Sequence, residues 1–444
     1  MVTDLWSGKD SSLDQNVSVR RTCASSAQSA IDCSEVIAEL WIPVTSMRQS
    51  DETTPPSHQA PARNVRVSRW SVDFGSIIGS GTFGSVYMAR DEEGSGEAVA
   101  AKVIDESKMK WAKILFEVKL LSKVAHHEGI VGLYGAHEVS NADGRCVVML
   151  LELGTGGDLL SLLTRKGVLA EAEALRYFRE IVGAVEFLHT QRIAHRDLKL
   201  ENVLISASGS CKIADFGLAH EYVGELDFGP RPVPGIPNEF VGGWSEREVL
   251  YDVCGSKSYL APEVLLKLGY DGYAADVWSL GICLFAMLTG SFPFTEAVAH
   301  DADYAVAHKQ AAAHGSLTLA VFQLYRTPCP LSPRAVELID HLLRISPVRR
   351  SSAADAFAFA RAAEAVLDGQ LAPAALQPAA AALPPPLRAP PSAHHAPQGP
   401  PSSCSRDSVS PMLSPMPSIL SVSSCPSYWI GVAGESALDP AAAA

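Results

Sequence analysis

Nine cysteines are scattered through the 444 residues, and no two of them form a Cys-x-x-Cys pair. The chain therefore carries no signal for a zinc knuckle or a dithiol redox centre. Without a clustered framework, reduced thiols in an intracellular protein, cytoplasmic or nuclear, are the expectation. Basic residues are also scarce, with 36 Lys and Arg against 49 Asp and Glu and a formal net charge of -13. Such a balance gives no general pull toward nucleic acid or anionic lipid, and it favours basic partners, basic peptides among them. The longest apolar run, Val277 to Leu288, is about 12 residues and contains Ser279 and Gly281. A bilayer span needs ~20 residues, so the run reads as a buried helix and no membrane partner is expected. The first thirty residues are polar and lack the apolar centre of a signal peptide. No internal repeat is visible.

What is present divides the chain in three. Residues 1–69 are rich in Ser, Thr and Asp, interrupted by a short apolar piece from Val36 to Val44. From about residue 370 to 444 the composition shifts to Ala, Ser and Pro, and 15 of the 29 prolines lie between Leu371 and Ala444. A segment of that kind buries too little surface to offset its conformational entropy, so both tails are expected to be disordered, with unknown partners. Ser410-Pro411 and Ser414-Pro415 fit either proline-directed phosphorylation or plain linker.

Residues 70–365 alternate in a way the tails do not. Val86–Ala89 and Ala98–Ile104 are β-compatible runs separated by the turn-rich stretch Asp91 to Gly96, and Cys146–Glu152 is an apolar strand. Helical periodicity appears over Ala112–Val124, Leu159–Thr164, Glu171–His189, Ala274–Leu288, Pro333–Leu343 and Ala353–Leu367. The stretch from Ala299 to His314 reads as a spacer between helices. An α+β, bilobal architecture follows: a small strand-rich lobe over 70–152, a larger helical lobe over 158–365, and a cleft between them suited to a ligand.

The motifs place chemistry at that cleft. Gly79-Ser80-Gly81-Thr82-Phe83-Gly84 leads into a strand rather than a helix and lacks the Gly-Lys-Ser/Thr of a P-loop. A glycine loop between strands can lie over a triphosphate because the backbone can approach closely, although a plain hairpin turn has the same pattern. Val99-Ala100-Ala101-Lys102 ends a strand in a cation able to neutralise phosphate oxygens, and Glu117 follows on the next helix. His195-Arg196-Asp197-Leu198-Lys199-Leu200-Glu201-Asn202 supplies a base, a cation and an amide. Asp215-Phe216-Gly217 supplies a second carboxylate. One Asp and one Asn suit Mg²⁺, which prefers hard oxygens and few of them from protein.

In this order, over roughly residues 70–365, the set resembles the eukaryotic protein kinase superfamily. The resemblance implies a serine/threonine kinase that transfers the γ-phosphoryl group of Mg-ATP to protein hydroxyls. Asp197 would accept the hydroxyl proton, Lys199 bind the transferring group, Lys102 hold the α and β phosphates with Glu117 behind it, and Asn202 and Asp215 hold the metal. Ile78, Gly79, Ser80, Gly81, Thr82, Phe83, Gly84, Val86 and Ala100 would roof the nucleotide. Glu152 and Gly154 would form the hinge, Leu151 guard the pocket behind it, and Asp158, Glu201 and Leu204 complete the site. Ala261-Pro262-Glu263, Asp276-Val277-Trp278-Ser279-Leu280-Gly281 and Arg350, expected to pair with Glu263, match structural elements of the superfamily. Ser256 stands where a hydroxyl bonds the base and Lys199.

Two departures stand out. Asp215 to Glu263 covers 49 residues, a long activation segment with a Pro/Gly insert, Gly229 to Pro237. Cys254-Gly255-Ser256 resembles the calmodulin-dependent and Snf1-like branch, yet Asp252 occupies the site of a phosphorylatable threonine. Either Asp252 partly replaces the phosphate that Arg196 would pair with, or Ser245 or Tyr251 is modified instead. Asp158 and Glu201 suit a basic residue in the substrate, or serve nucleotide binding alone. The alternatives are a scaffold without chemistry, against which Lys102, Asp197, Asn202 and Asp215 speak, and a small-molecule kinase, against which Ala261-Pro262-Glu263, Asp276 and Arg350 speak.

Overall fold

The computed structural model describes residues 64–81, 84–94, 96–141, 144–222, 249–267 and 269–367. Both tails, the insert, Ser245, Thr82 and Phe83 lie outside the described residues.

The small lobe is an antiparallel six-stranded sheet. Its strands are β1 (Asn64–Val67), β2 (Trp70–Ser80), β3 (Gly84–Asp91), β4 (Ala98–Asp105), β5 (Leu133–Asn141) and β6 (Gly144–Leu151), in the spatial order β1-β2-β3-β4-β6-β5. The sheet begins six residues before the expected domain start at residue 70, because Asn64–Val67 pairs with Trp70–Asp73. Alternation along a strand assigns the two faces. Val99 and Ala101 of β4 join Val67, Trp70, Val72, Ala89, Val148 and Leu150 in one buried cluster. Ala100 and Lys102 face the other way, toward the cleft, and Ile104 joins the main core. Among the described residues one helix, α1 (Trp111–Val124), covers that side, with Ile114, Glu117, Val118, Leu121 and Val124 on its buried stripe.

The large lobe is mostly helical. Next come β7 (Gly157–Asp158), α2 (Leu159–Lys166), α3 (Glu171–Thr190), β8 (Ile193–Ala194), β9 (Val203–Ile205), β10 (Cys211–Ile213) and β11 (His220–Glu221). Then follow α4 (Pro262–Leu265), α5 (Gly272–Thr289), α6 (Ala302–His314), α7 (Leu317–Leu324), α8 (Pro333–Leu342) and α9 (Ala353–Leu367). Strand β9 lies between β10 and β7, and β11 pairs with β8. These two small sheets frame the loop that carries Asp197.

Helix α5 is apolar on all sides and sits in the centre of the lobe, as expected of the run Val277–Leu288. It is longer than that run. By length and composition its 18 residues are enough to cross a membrane, yet most of the helix is buried inside this fold. Asp271 caps its first turn by accepting a hydrogen bond from Tyr273 N, and Gly290 ends it at φ 69°.

The expected spacer from Ala299 to His314 is instead helix α6. Asp301 accepts from Tyr304 N at 2.9 Å, the alanines are strong helix formers, and Gly315 at φ 82° closes the last turn. Local capping outweighed the absence of a sharp apolar stripe. His126 and His127 play a structural part: the His127 ring stacks on Phe187 at 4.2 Å and accepts from Gly129 N, and the His126 ring meets Phe187 edge-on at 5.5 Å.

Candidate active site

Glu117 occupies a position on α1 where the apolar stripe predicts a hydrophobe, and it is 2% exposed. A buried carboxylate requires a counter-charge. Lys102 on β4 supplies it, with Nζ 2.6 Å from Glu117 Oε1 and 2.8 Å from Asp215 Oδ1. Burial works against the Lys102 ammonium, but the carboxylates of Asp215 and Glu117 outweigh it and raise the pKa above its usual value. Burial would raise the Asp215 carboxyl too, but Lys102 holds it down at about 2. Asp215 therefore stays ionised. Its backbone is left-handed, at φ 65°, a conformation that costs about 1–3 kcal/mol for a non-glycine residue and clusters at working sites.

The loop from His195 to Asn202 is suspended from helix α5. Asp276, 1% exposed, accepts His195 N and Arg196 N at 2.8 Å each, one on each carboxylate oxygen, and His189 Nε2 lies 3.0 Å from Oδ2. The His195 ring reaches Ala214 O at 3.1 Å and meets Phe216 edge-on at 5.1 Å, which ties the loop to the segment carrying Asp215. Asp197 is then surrounded by its expected neighbours. Its Oδ1 accepts Ser256 N and Oγ at 3.0 and 3.1 Å; its Oδ2 lies 3.0 Å from Lys199 Nζ and 3.2 Å from Asn202 Nδ2. Lys199 also donates to Ser256 Oγ at 2.9 Å. Burial opposes the Lys199 charge, and Asp197 more than compensates, so its pKa is raised.

These groups open onto one cleft of about 1030 Å³ between the lobes. Of the residues expected there, Ile78, Gly79, Ser80, Gly81, Gly84, Val86, Ala100, Lys102, Leu151, Glu152, Gly154, Asp158, Asp197, Lys199, Glu201, Asn202, Leu204 and Asp215 line it. Glu117 stands behind Lys102. The β2–β3 hairpin forms the roof, closed by Gly81 N donating to Gly84 O at 2.9 Å. A side chain on Gly84 would collide with the Val103 carbonyl, whereas one on Gly81 would meet open space. The fold demands the first glycine, and the second leaves the cleft free for a ligand.

Two expected nucleotide contacts are also engaged elsewhere. Asp158 caps α2, with Ser161 N and Oγ donating to its two oxygens at 2.7 and 2.6 Å. The Glu152 side chain pairs with Lys212 at 2.9 Å, so its backbone is what faces the cleft edge. Sequence reading missed Met88, Val131 and Ala214 in the lining. Met88 was findable, since it lies two residues along β3 from Val86 on the same face. Val131 was not, because it sits in a connection without periodicity.

The protein kinase domain model matches residues 72–359. The chain belongs to the protein kinase family. Among its relatives, CBL-interacting serine/threonine-protein kinase 7 of Arabidopsis thaliana is 31% identical over 303 residues, covering 67% of this chain and 62% of that one. CBL-interacting protein kinase 9 of Oryza sativa subsp. japonica is 37% identical over 237 residues, 53% of this chain and 46% of the other. CBL-interacting protein kinase 30 of the same rice is 39% identical over 225 residues, 50% and 42%. The chain spans about half the length of the relatives it matches.

Within this kinase domain the expected structural pair also forms. Arg350 and Glu263 make a doubly hydrogen-bonded ion pair, Nη1 to Oε1 at 2.6 Å and Nη2 to Oε2 at 3.1 Å, with both side chains at 0% exposure. At the activation segment, Arg196 Nη1 donates to Asp252 Oδ1 at 2.8 Å. Arg196 is further held by Leu218 O at 2.8 Å through Nε and by Tyr270 OH at 3.3 Å. The Tyr270 hydroxyl in turn donates to Asp252 O at 2.9 Å. Asp252 thus meets the arginine of the catalytic loop directly, while Tyr251 is exposed.

Proposed function

We propose that this chain is an active serine/threonine protein kinase that moves the γ-phosphoryl group of Mg-ATP to a Ser or Thr hydroxyl. The observation that carries the reading is Lys102 bonded at once to Glu117 and to Asp215, beside an Asp197 bonded to Lys199, Ser256 and Asn202. The five charged groups that position and transfer a phosphoryl group line one cleft or back it.

Asn202 donates from Nδ2 to Asp197 O and Oδ2, which leaves its amide oxygen as an acceptor, and Asp215 Oδ1 takes Lys102, which leaves Oδ2. One carboxylate and one amide oxygen fit Mg²⁺, and among the described residues no cluster of His, Cys, Asp and Glu offers a cage without nucleotide. When bound, the ion supplies charge neutralisation at the phosphate oxygens. The protein does the rest. Lys102 binds phosphate oxygens, and Lys199 neutralises charge on the group in transit. Asp197 takes the proton of the attacking hydroxyl as its oxygen bonds to the γ-phosphorus and the bond to the leaving ADP oxygen breaks.

A preference for basic residues near the acceptor is supported by the acidic balance of the chain and by Asp158 and Glu201 in the cleft. Those relatives are named for an interaction with CBL proteins. The matches cover 50–67% of this chain and 42–62% of those proteins, so the likeness supports the activity more than that partner. Incubating the purified chain with γ-labelled Mg-ATP and a Ser/Thr peptide library tests both claims. Transfer at about 1–100 per second on preferred peptides, enriched in Arg or Lys, is expected. Label that never reaches any hydroxyl peptide would overturn the activity, and a flat residue profile would overturn the preference alone.

We also propose that Asp252 stands in for activation-segment phosphorylation. The Asp252 side chain is 59% exposed, so the Arg196 pair is partly screened. Asp252→Ala should lower the activity of phosphatase-treated protein by about 2- to 10-fold. Unchanged activity in the dephosphorylated variant rules the idea out.

A further inference from the structure

Helix α1 touches the large lobe at a second place, away from the cleft. Glu221, in strand β11, is 13% exposed and sits between two lysines of the helix. Its Oε2 lies 3.0 Å from Lys119 Nζ and its Oε1 2.9 Å from Lys123 Nζ. Lys123 also donates to Gln191 O at 3.0 Å, just before β8. Lys119 and Lys123 stand one helical turn apart, so without a counter-charge they would repel each other. Burial works against the Glu221 charge, and the two lysines outweigh it, so its pKa is lowered and the carboxylate is charged at neutral pH.

The strand that carries Glu221 is firmly held. It pairs with β8, Glu221 opposite Ile193, and β8 leads straight into His195-Arg196-Asp197. The next residue, Tyr222, is buried; its N donates to Arg192 O at 2.8 Å, and its hydroxyl accepts Gly272 N at 2.9 Å from the first turn of α5. Glu221 is therefore anchored to the large lobe, while its carboxylate grips the small-lobe helix two and six residues beyond Glu117.

Resting on the kinase reading above, we propose that Glu221 is a positioning residue: its two-lysine clamp holds α1 at the height at which Glu117 meets Lys102. Glu117 alone cannot set that height. Its Oε2 has no hydrogen-bond partner, and apart from its single bond to a flexible lysine the helix rests on an apolar stripe, whose contacts are not directional. The clamp adds two contacts on a different part of the helix, from a strand adjoining the catalytic loop. The apolar stripe keeps the helix on the core, and a charged tie at each of two places fixes where it lies there.

Glu221→Gln keeps the shape and removes the charge. In the full chain it should raise KM for ATP and lower kcat, with kcat/KM for ATP falling about 3- to 30-fold. The melting temperature should stay close to that of wild type. Lys119→Gln/Lys123→Gln, on the partly exposed side of the helix, should give the same loss, and it serves if the strand variant folds poorly. The charge-swapped triple variant, Glu221→Lys with Lys119→Glu and Lys123→Glu, should recover most of the activity, which a merely structural role for Glu221 does not predict. Raising ionic strength should slow wild type more than Glu221→Gln, because salt screens partly exposed charges. Independently of turnover, amide hydrogen exchange over Trp111–Val124 should speed up in both Gln variants. Wild-type kinetics together with wild-type exchange in both, or a charge swap no better than Glu221→Gln alone, overturns the proposal. Loss of transfer by wild type itself would overturn the kinase reading, and the exchange result would still decide the clamp.

Discussion

Asp197→Ala should cut phosphoryl transfer by about 10²- to 10⁴-fold, the usual contribution of a positioned proton acceptor. Binding of Mg-ATP should change little, because Lys102, Asp215 and the glycine roof do not depend on the Asp197 side chain. The expected signature is a kcat effect with a nearly constant KM for ATP, measured in a steady-state assay with a preferred peptide. The substitution also frees three partners. Lys199, Ser256 and Asn202 each lose a bond to the carboxylate, at 3.0, 3.1 and 3.2 Å respectively. Asp197→Asn should be nearly as slow while keeping most of that network, since an amide can accept from Ser256 but cannot take up a proton at this site. An Asn variant retaining full kcat would show that proton transfer is not the role of Asp197. It would also leave the groups around Lys102 to carry the rate by positioning and charge alone.

Glu263→Gln should destabilise the domain by about 3–5 kcal/mol, the range for removing one partner of a fully buried ion pair. The Arg350 guanidinium spends its donors on Glu263, on Arg344 O at 2.9 Å and on Ala274 O at 2.6 Å, and it lies over the Trp278 ring at 5.2 Å. With both side chains at 0% exposure, water cannot replace the lost carboxylate. Urea unfolding, following the tryptophan signal, measures the change. Replacing both members by apolar residues of similar volume, Glu263→Met with Arg350→Met, should recover much of the loss, because the remaining charge is then removed as well. A double variant as unstable as the single one would show that the backbone contacts of Arg350, not the unpaired charge, set the cost.

The two substitutions act on different levels. Asp197 lies at the cleft and is held by loops, so changing it should alter rate more than stability. Glu263 closes the activation segment and Arg350 anchors it there, so changing them should lower stability and bring activity down with it. A set of variants in which the two effects are exchanged would mean that the cleft and its support have been assigned the wrong way round.

Much of the site was legible before any coordinates. The order of glycine loop, Lys102, Glu117, Asp197, Asn202 and Asp215 identified the groups, because phosphoryl transfer needs a cation, a base and oxygen donors for a metal in a fixed sequence of elements. Glu117 was marked by that order alone, and its place on the buried apolar stripe of α1 came from the structure. Asp158 kept its place at the cleft but turned out to cap α2, a local signal that a serine three residues on already offered. Helix α6 escaped because its alanines and histidines form no strong stripe, although Asp301 and Gly315 bracketed it. The first strand escaped because four residues next to a polar segment carry too little alternation to be recognised.

By itself the sequence determined which side chains this kinase domain brings to its chemistry and the order of the lobes that carry them, since motif spacing and apolar periodicity are local properties. Only the tertiary structure decided which charges meet. Lys102 and Asp215 are 113 positions apart, Lys119 and Glu221 are 102, and Arg196 and Asp252 are 56. No periodicity links such pairs. They form because folding takes one member of each, Lys102, Glu221 and Arg196, largely out of water, and a charge out of water is tolerated only where an opposite charge arrives at the same place.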